Sequence, residues 1–233
     1  MEYKCTDPVC SHHHALPPEK NKIKWILREL GAHLPYSIFS AIASLIVLAV
    51  LTATGLVGHL LTFFHLFHPT HLFLSATTTT AIFWSRGKPG GLRFIYAAII
   101  GITGSVPFCT LSDIIFPYTA GTILKHQMIW HLCIVEDFWL IIPFVIAGIV
   151  AGMVAGQYRE TSTFFSHSAH IFISTTASVL YLITFGLTDW TNYVGWIVVI
   201  LSVSVLLPCC LSDIAFPMIF IRSKDQKGQT GPG

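Results

Sequence analysis

Cys109-Thr-Leu-Ser112-Asp113-Ile-Ile-Phe-Pro117 returns one hundred residues later as Cys209-Cys-Leu-Ser212-Asp213-Ile-Ala-Phe-Pro217, identical at seven of nine positions. Upstream, at an offset of ninety-nine, His68-Pro-Thr-His71-Leu-Phe-Leu-Ser75 is matched by His167-Ser-Ala-His170-Ile-Phe-Ile-Ser174. Each half therefore carries H-x-x-H and, about forty residues on, C-x-L-S-D-I-x-F-P. An internal repeat of this kind constrains the fold before any local pattern does.

The composition says where such a repeat resides. Of 233 residues, 53% are hydrophobic and only 10% charged, with a mean hydropathy of +0.69. A soluble domain carries about 25% charged residues, so the balance is that of a membrane protein. Apolar runs fall at about 36–60, 70–85, 92–117, 137–157, 164–187 and 193–221. A helix needs about 20 apolar residues to cross the hydrocarbon core, and most of these runs qualify. The expected fold class is an all-α integral membrane protein of six transmembrane helices. Three spans per repeat is an odd number, which sets the two halves in opposite orientations: two inverted-topology three-helix repeats, an arrangement common among secondary transporters.

The basic residues orient the bundle. With the N-terminus inside, twelve of the thirteen Lys and Arg fall in the cytoplasm and only Lys125 falls outside; the positive-inside bias then makes both termini cytoplasmic in a multi-pass cell-membrane protein. The chain divides into a cytoplasmic tail with an interfacial helix (1–34), a first three-helix repeat (35–124), an outer linker (125–136), a second three-helix repeat (137–222) and a cytoplasmic tail (223–233). Ile23, Ile26, Leu27 and Leu30 share one helical face, and Gly31 and Pro35 are expected to stop that helix before the first span. Gly148, Gly152 and Gly156 give the fourth span a small-residue face for close packing.

The candidate chemistry lies in the repeated residues. His68 and His71, three apart, share a helix face, as do Cys109 and Asp113, four apart. His167, His170, Cys209 and Asp213 repeat the set. Two imidazoles, a thiolate and a carboxylate suit a tetrahedral divalent transition metal: Zn, Ni, Co or Fe. The topology predicts the first set at the outer mouth and the second at the inner mouth. Cys5, Cys10, His12, His13 and His14 in the N-terminal tail form a further metal-capturing group of the same ligand types.

These residues predict a permease for a divalent transition-metal ion, its partners being the bilayer and the ion. The alternatives are a membrane-embedded metal- or haem-binding protein or enzyme, and a non-metal permease whose repeats only pack helices. There is no G-x-S-x-G, no H-E-x-x-H and no Gly-rich phosphate loop, which weighs against an enzyme. A charge of +2 without a dense basic patch gives no footing for nucleic acid. The composition is compatible with a homo-oligomer and does not fix its size.

Overall fold

The computed structural model describes residues 22–86, 91–156, 163–210, 212 and 216. All regular structure among them is helical. Helix α1 (Lys22–Ala53) is followed by a 3-10 turn (Leu56–His59) and α2 (Leu60–Arg86). Next come α3 (Arg93–Thr110), a π-helical turn (Leu111–Ile115) and α4 (Phe116–Ile123). After the linker segment α5 (Cys133–Glu136), the chain continues through α6 (Phe138–Ala155), α7 (Thr163–Thr184), a 3-10 turn (Trp190–Tyr193) and α8 (Val194–Cys210).

Among the described residues, four helical stretches are long and apolar enough to cross a membrane: His33–Ala53, Arg93–Ile123, Phe138–Ala155 and Trp190–Cys209. They agree with four of the six expected runs. Their outward faces carry exposed apolar side chains such as Phe39, Ile95, Val150 and Trp196, which suits contact with lipid. The other two expected runs fall on α2 and α7, and these helices differ in kind. On α2, only Leu61 and Leu66 near its start are exposed large hydrophobics, and among the described residues α7 has none. Their buried positions include His68, His71, Ser75, Thr79, Thr80, His170, Ser174, Thr176 and Ser178. A helix sheathed by other helices has no need of an apolar surface, so polar side chains that find partners are tolerated there.

Packing follows from small residues. α2 lies closest against α6, then against α3 and α7, while α1 packs on α7 and α8. A Cβ on Gly148 would lie 2.5 Å from the Phe73 carbonyl oxygen, and one on Gly152 would lie 2.5 Å from that of Thr77. The α6 glycines thus let two backbones touch, and the Thr77 hydroxyl donates to Gly148 O at 3.1 Å across the seam. α1 is tied in by Ser44, whose hydroxyl lies 2.9 Å from those of Thr175 and Thr176, and by Ser37 donating to Ser202 O. At the far end of α2 the Arg93 guanidinium covers the Trp84 ring and donates to the Trp84 carbonyl.

Three expectations about helix ends are corrected. The segment from residue 22 does not stop at Gly31 or Pro35: it is one helix with the first span, Pro35 lying inside it. α2 begins ten residues before the expected 70, because the stretch containing His65, His68 and Pro69 is helix and not loop. The third span does not end at Pro117. Proline lacks an N–H and its ring clashes with the carbonyl four residues back, here that of Asp113. A π-helical turn over Leu111–Ile115 absorbs the misfit, and the helix runs on to Ile123.

Candidate metal centre

The corrected helix ends place Cys109 and His71 well inside their helices. At ~1.5 Å per residue, Cys109 lies about 24 Å from the Arg93 end of its span and about 21 Å from the Ile123 end. His71 lies about 16 Å from the start of α2 and about 22 Å from its end. Both positions are mid-helix.

There α2 and α7 run antiparallel, with Phe64 against Tyr181 and Phe185 and His71 against His170. His71 Nε2 and His170 Nε2 are 2.6 Å apart. Cys209 Sγ and Cys109 Sγ each lie 3.7 Å from His71 Nε2. His71, His170 and Cys209 are all buried and converge closely enough to hold one metal ion. The expectation of separate outer and inner sets is therefore corrected: one residue from each H-x-x-H and the cysteines of both repeats meet at a single place. The mouths were inferred from the span ends, and the helix carrying Cys109 and Asp113 runs past Pro117 to Ile123.

Asp113 stands behind this cluster. Its Oδ2 accepts from His71 Nδ1 at 2.7 Å and from His68 Nδ1 at 2.9 Å. Its Oδ1 accepts from the Ser112 hydroxyl at 2.7 Å and the Ser174 hydroxyl at 3.0 Å. Four donors occupy a carboxylate with about four acceptor positions. With these bonds made, Asp113 orients imidazoles and offers no lone pair to an ion, which corrects its expected role as a direct ligand. The carboxylate also assigns the ring proton of both histidines to Nδ1, so the Nε2 of His71 faces His170 and the thiols with its lone pair. This carboxylate–histidine relay is the usual support of a metal-binding imidazole. His68 is likewise set apart from the cluster: its ring stacks on Phe64 with centroids 5.5 Å apart.

Asp213, Cys5, Cys10, His12, His13 and His14 lie outside the described residues, and so does the side chain of His167. Ser212 is described and sits in a π-helical turn, as Ser112 does.

A second group was not anticipated from the sequence. His65, His131, Cys133 and Asp137 bring one ligand atom each within 4.8 Å of one another at the linker end of the bundle. His65 comes from the first turns of α2; the other three come from the linker and the start of α6. The segment is pinned by Ile129 N–H donating to Phe185 O at 2.7 Å and His131 N–H donating to the Tyr181 hydroxyl at 3.3 Å. Met128 wedges against Gly121 and Gly186, where any Cβ would collide with it. Burial and then the carboxylates of Asp137, Asp113 and Glu136 push the Cys133 thiol up to about 12. The Leu132 N–H, followed by His131, holds the Glu136 carboxyl below its ordinary range. The available signal was local: four groups able to hold a metal or support a ligand within residues 131–137.

No family model, curated protein or solved structure matches the chain. What fold and site define is a class: a protein whose described residues are helical, with four membrane-length apolar helices among them and His/Cys/Asp clusters able to hold a metal ion.

Proposed function

We propose that this chain is a six-span transporter of a divalent transition-metal ion, built as two inverted three-helix repeats around one mid-depth site. The observation that carries the reading is the 2.6 Å approach of His71 and His170, equivalent positions in the two sequence repeats, on antiparallel helices. Substrate sites of inverted-repeat transporters lie at the repeat interface near the bilayer midplane.

The hydrogen bonds repeat in pairs, which supports the pseudo-symmetry. Ser75 meets Ser212 at 2.9 Å, and Ser174, the counterpart of Ser75, meets Ser112 at 3.5 Å. Thr79 donates to Ser212 O, and its counterpart Ser178 donates to Ser112 O. Packing exchanges in the same way: α6 lies on α2 and α3, and α1 lies on α7 and α8. Each repeat's first helix thus covers the other repeat's interior. The positive-inside distribution then sets both termini in the cytoplasm.

The His71–His170 spacing suits a working site. Ligand nitrogens about 2.0–2.1 Å from a tetrahedral ion are about 3.3 Å from each other. The pair must therefore part by about 0.7 Å to share an ion. Binding would push α2 and α7 apart, which couples the ion to the interface that alternating access has to move.

A second reading, a membrane protein holding a fixed metal, is favoured by one fact: histidines of both repeats meet at one depth. Flux separates the two. The full chain is reconstituted into vesicles containing a metal-sensitive dye and challenged with Zn²⁺, Co²⁺, Ni²⁺ and Fe²⁺. Flux of one of these is expected, falling on the order of 10–100-fold or more in His71→Ala and in His170→Ala, at least the loss seen when mere supports of a metal ligand are removed. No flux of any ion, with one equivalent retained after desalting and lost in His170→Ala, would replace transport by the fixed-metal reading.

A further inference from the structure

We propose that His65, His131, Cys133 and Asp137 form a second metal site, distinct from the core cluster, which binds a zinc-class divalent cation and clamps the linker onto the bundle. It does not depend on the protein being a transporter.

The spacing is the first reason. His65 Nε2 lies 3.3 Å from His131 Nε2 and 3.2 Å from Asp137 Oδ2, and His131 Nε2 lies 3.0 Å from Asp137 Oδ2. Three corners of a tetrahedron around an ion with ~2.0–2.1 Å bonds are about 3.3 Å apart. These atoms already stand near that spacing, with the Cys133 sulfur as the fourth corner. Two imidazoles, a thiol and a carboxylate are ligands of the borderline class that zinc and cobalt take.

The second reason is the state of Asp137. Its Oδ2 is screened from solvent and sits within ion-pair distance of two imidazoles, yet it makes no hydrogen bond of good geometry to either. A buried carboxylate oxygen aimed between two ring nitrogens without bonding either is arranged as a ligand.

The third reason is the support behind His131. Its Nδ1 donates to Glu136 Oε2 at 2.8 Å, which assigns the proton to Nδ1 and turns the Nε2 lone pair toward Asp137 and His65. Glu136 is itself fixed, because its Oε1 accepts the Leu132 N–H at 3.0 Å. The His131 ring stacks on Phe185 with centroids 4.8 Å apart and planes inclined by 13°. His65, His131 and Asp137 keep 22%, 13% and 31% of their side-chain surface open, so an ion can reach the site from one side, with buried Cys133 as its floor.

The test uses the full chain in detergent, incubated with excess Zn²⁺ and desalted, with bound zinc measured per chain. His131→Ala is expected to lose one equivalent relative to the unsubstituted chain, while His170→Ala keeps that equivalent. Glu136→Gln, which removes a support and no ligand, is expected to retain zinc but yield it to a competing chelator at a 10- to 100-fold lower chelator concentration. Zinc should raise the unfolding temperature of the unsubstituted chain more than that of His131→Ala. Should His131→Ala not fold, Asp137→Asn, which keeps the shape of the side chain, takes its place with the same expected loss. Zinc content unchanged in the folded variant overturns the site.

Discussion

In the core, two imidazole nitrogens carried by different helices lie 2.6 Å apart; at the linker end, three ligand atoms lie 3.0, 3.2 and 3.3 Å apart. Both clusters use histidine, cysteine and a carboxylate, and both have a carboxylate fixing a histidine through Nδ1. They differ in what an ion must do on arrival. At the linker end the ligands already stand near tetrahedral spacing, so binding asks for little motion and suits a resident ion. In the core the facing imidazoles must separate, and each is anchored to a different side of the bundle, α2 on α6 and α7 on α1. Similar ligand chemistry can thus serve a clamp or a moving site, depending on whether the ligand atoms already stand at tetrahedral spacing or must be parted across two helices.

The strongest way to break this contrast is at Asp113. It accepts four hydrogen bonds with no exposed surface, and the core cluster inherits its orientation from them. Asp113→Asn removes the charge and places an NH₂ group against donors, the imidazole N–H groups of His68 and His71 or the hydroxyls of Ser112 and Ser174. Removing one partner from a buried charged network costs about 3–5 kcal/mol. The expected outcome is a large fall in unfolding temperature in detergent, or failure to recover folded protein. A variant as stable as the unsubstituted chain would show that the carboxylate is not the hub of the core.

An intermediate effect is expected at Gly186, and it should fall on one cluster only. A Cβ there would lie 2.6 Å from Met128 Sδ and 2.9 Å from the Gln127 carbonyl oxygen. Met128 can bend away, but the Gln127 backbone cannot move without dragging the segment that carries His131 and Cys133. Overpacking of this kind costs about 1–3 kcal/mol. Gly186→Ala should therefore lower stability by that amount and weaken zinc retention at the linker cluster, while metal flux through the core stays unchanged. Equal loss at both sites would mean that the two clusters are coupled and that the contrast above is false.

Much of this was legible in the sequence, and what was missed has physical causes. The four lipid-suited helices could be read from hydropathy because their outward faces meet no protein. α2 gave a blurred start because a helix surrounded by helices is free to carry Thr, Ser and His, so its polar residues look like a loop in a hydropathy profile, whereas the expected 164–187 lies within three residues of α7 at both ends. Pro117 deepened the error, since it reads as an end or a kink although a π-helical turn accommodates it. The offset of ninety-nine between the H-x-x-H motifs held more than was drawn from it. His71 and His170 differ by that same offset and are the pair in contact. The linker cluster left a weaker trace, because His65 is distant in sequence and only the fold brings it to His131.

The smallest effect is expected at Tyr181, and it tests how the linker is held. The hydroxyl accepts the His131 N–H at 3.3 Å and donates to the Ile129 carbonyl at 3.5 Å, so one side chain of α7 fastens both sides of the strap that carries the second site. The ring also packs against Phe64 and Phe185, which flank His68 and His131. Tyr181→Phe keeps the ring and removes the two bonds, leaving the partly buried His131 N–H without its acceptor. A single such hydrogen bond contributes about 0.5–1.5 kcal/mol, so the fall in stability should be on that order. Amide exchange at Ile129 and His131 should quicken, and the zinc-dependent rise in unfolding temperature should shrink without vanishing, because the four ligands remain. If zinc restores slow exchange at His131 in the variant, the metal and the tyrosine hold the same strap by independent means; if exchange stays fast with zinc bound, the cation does not clamp the linker and the second site has no structural role.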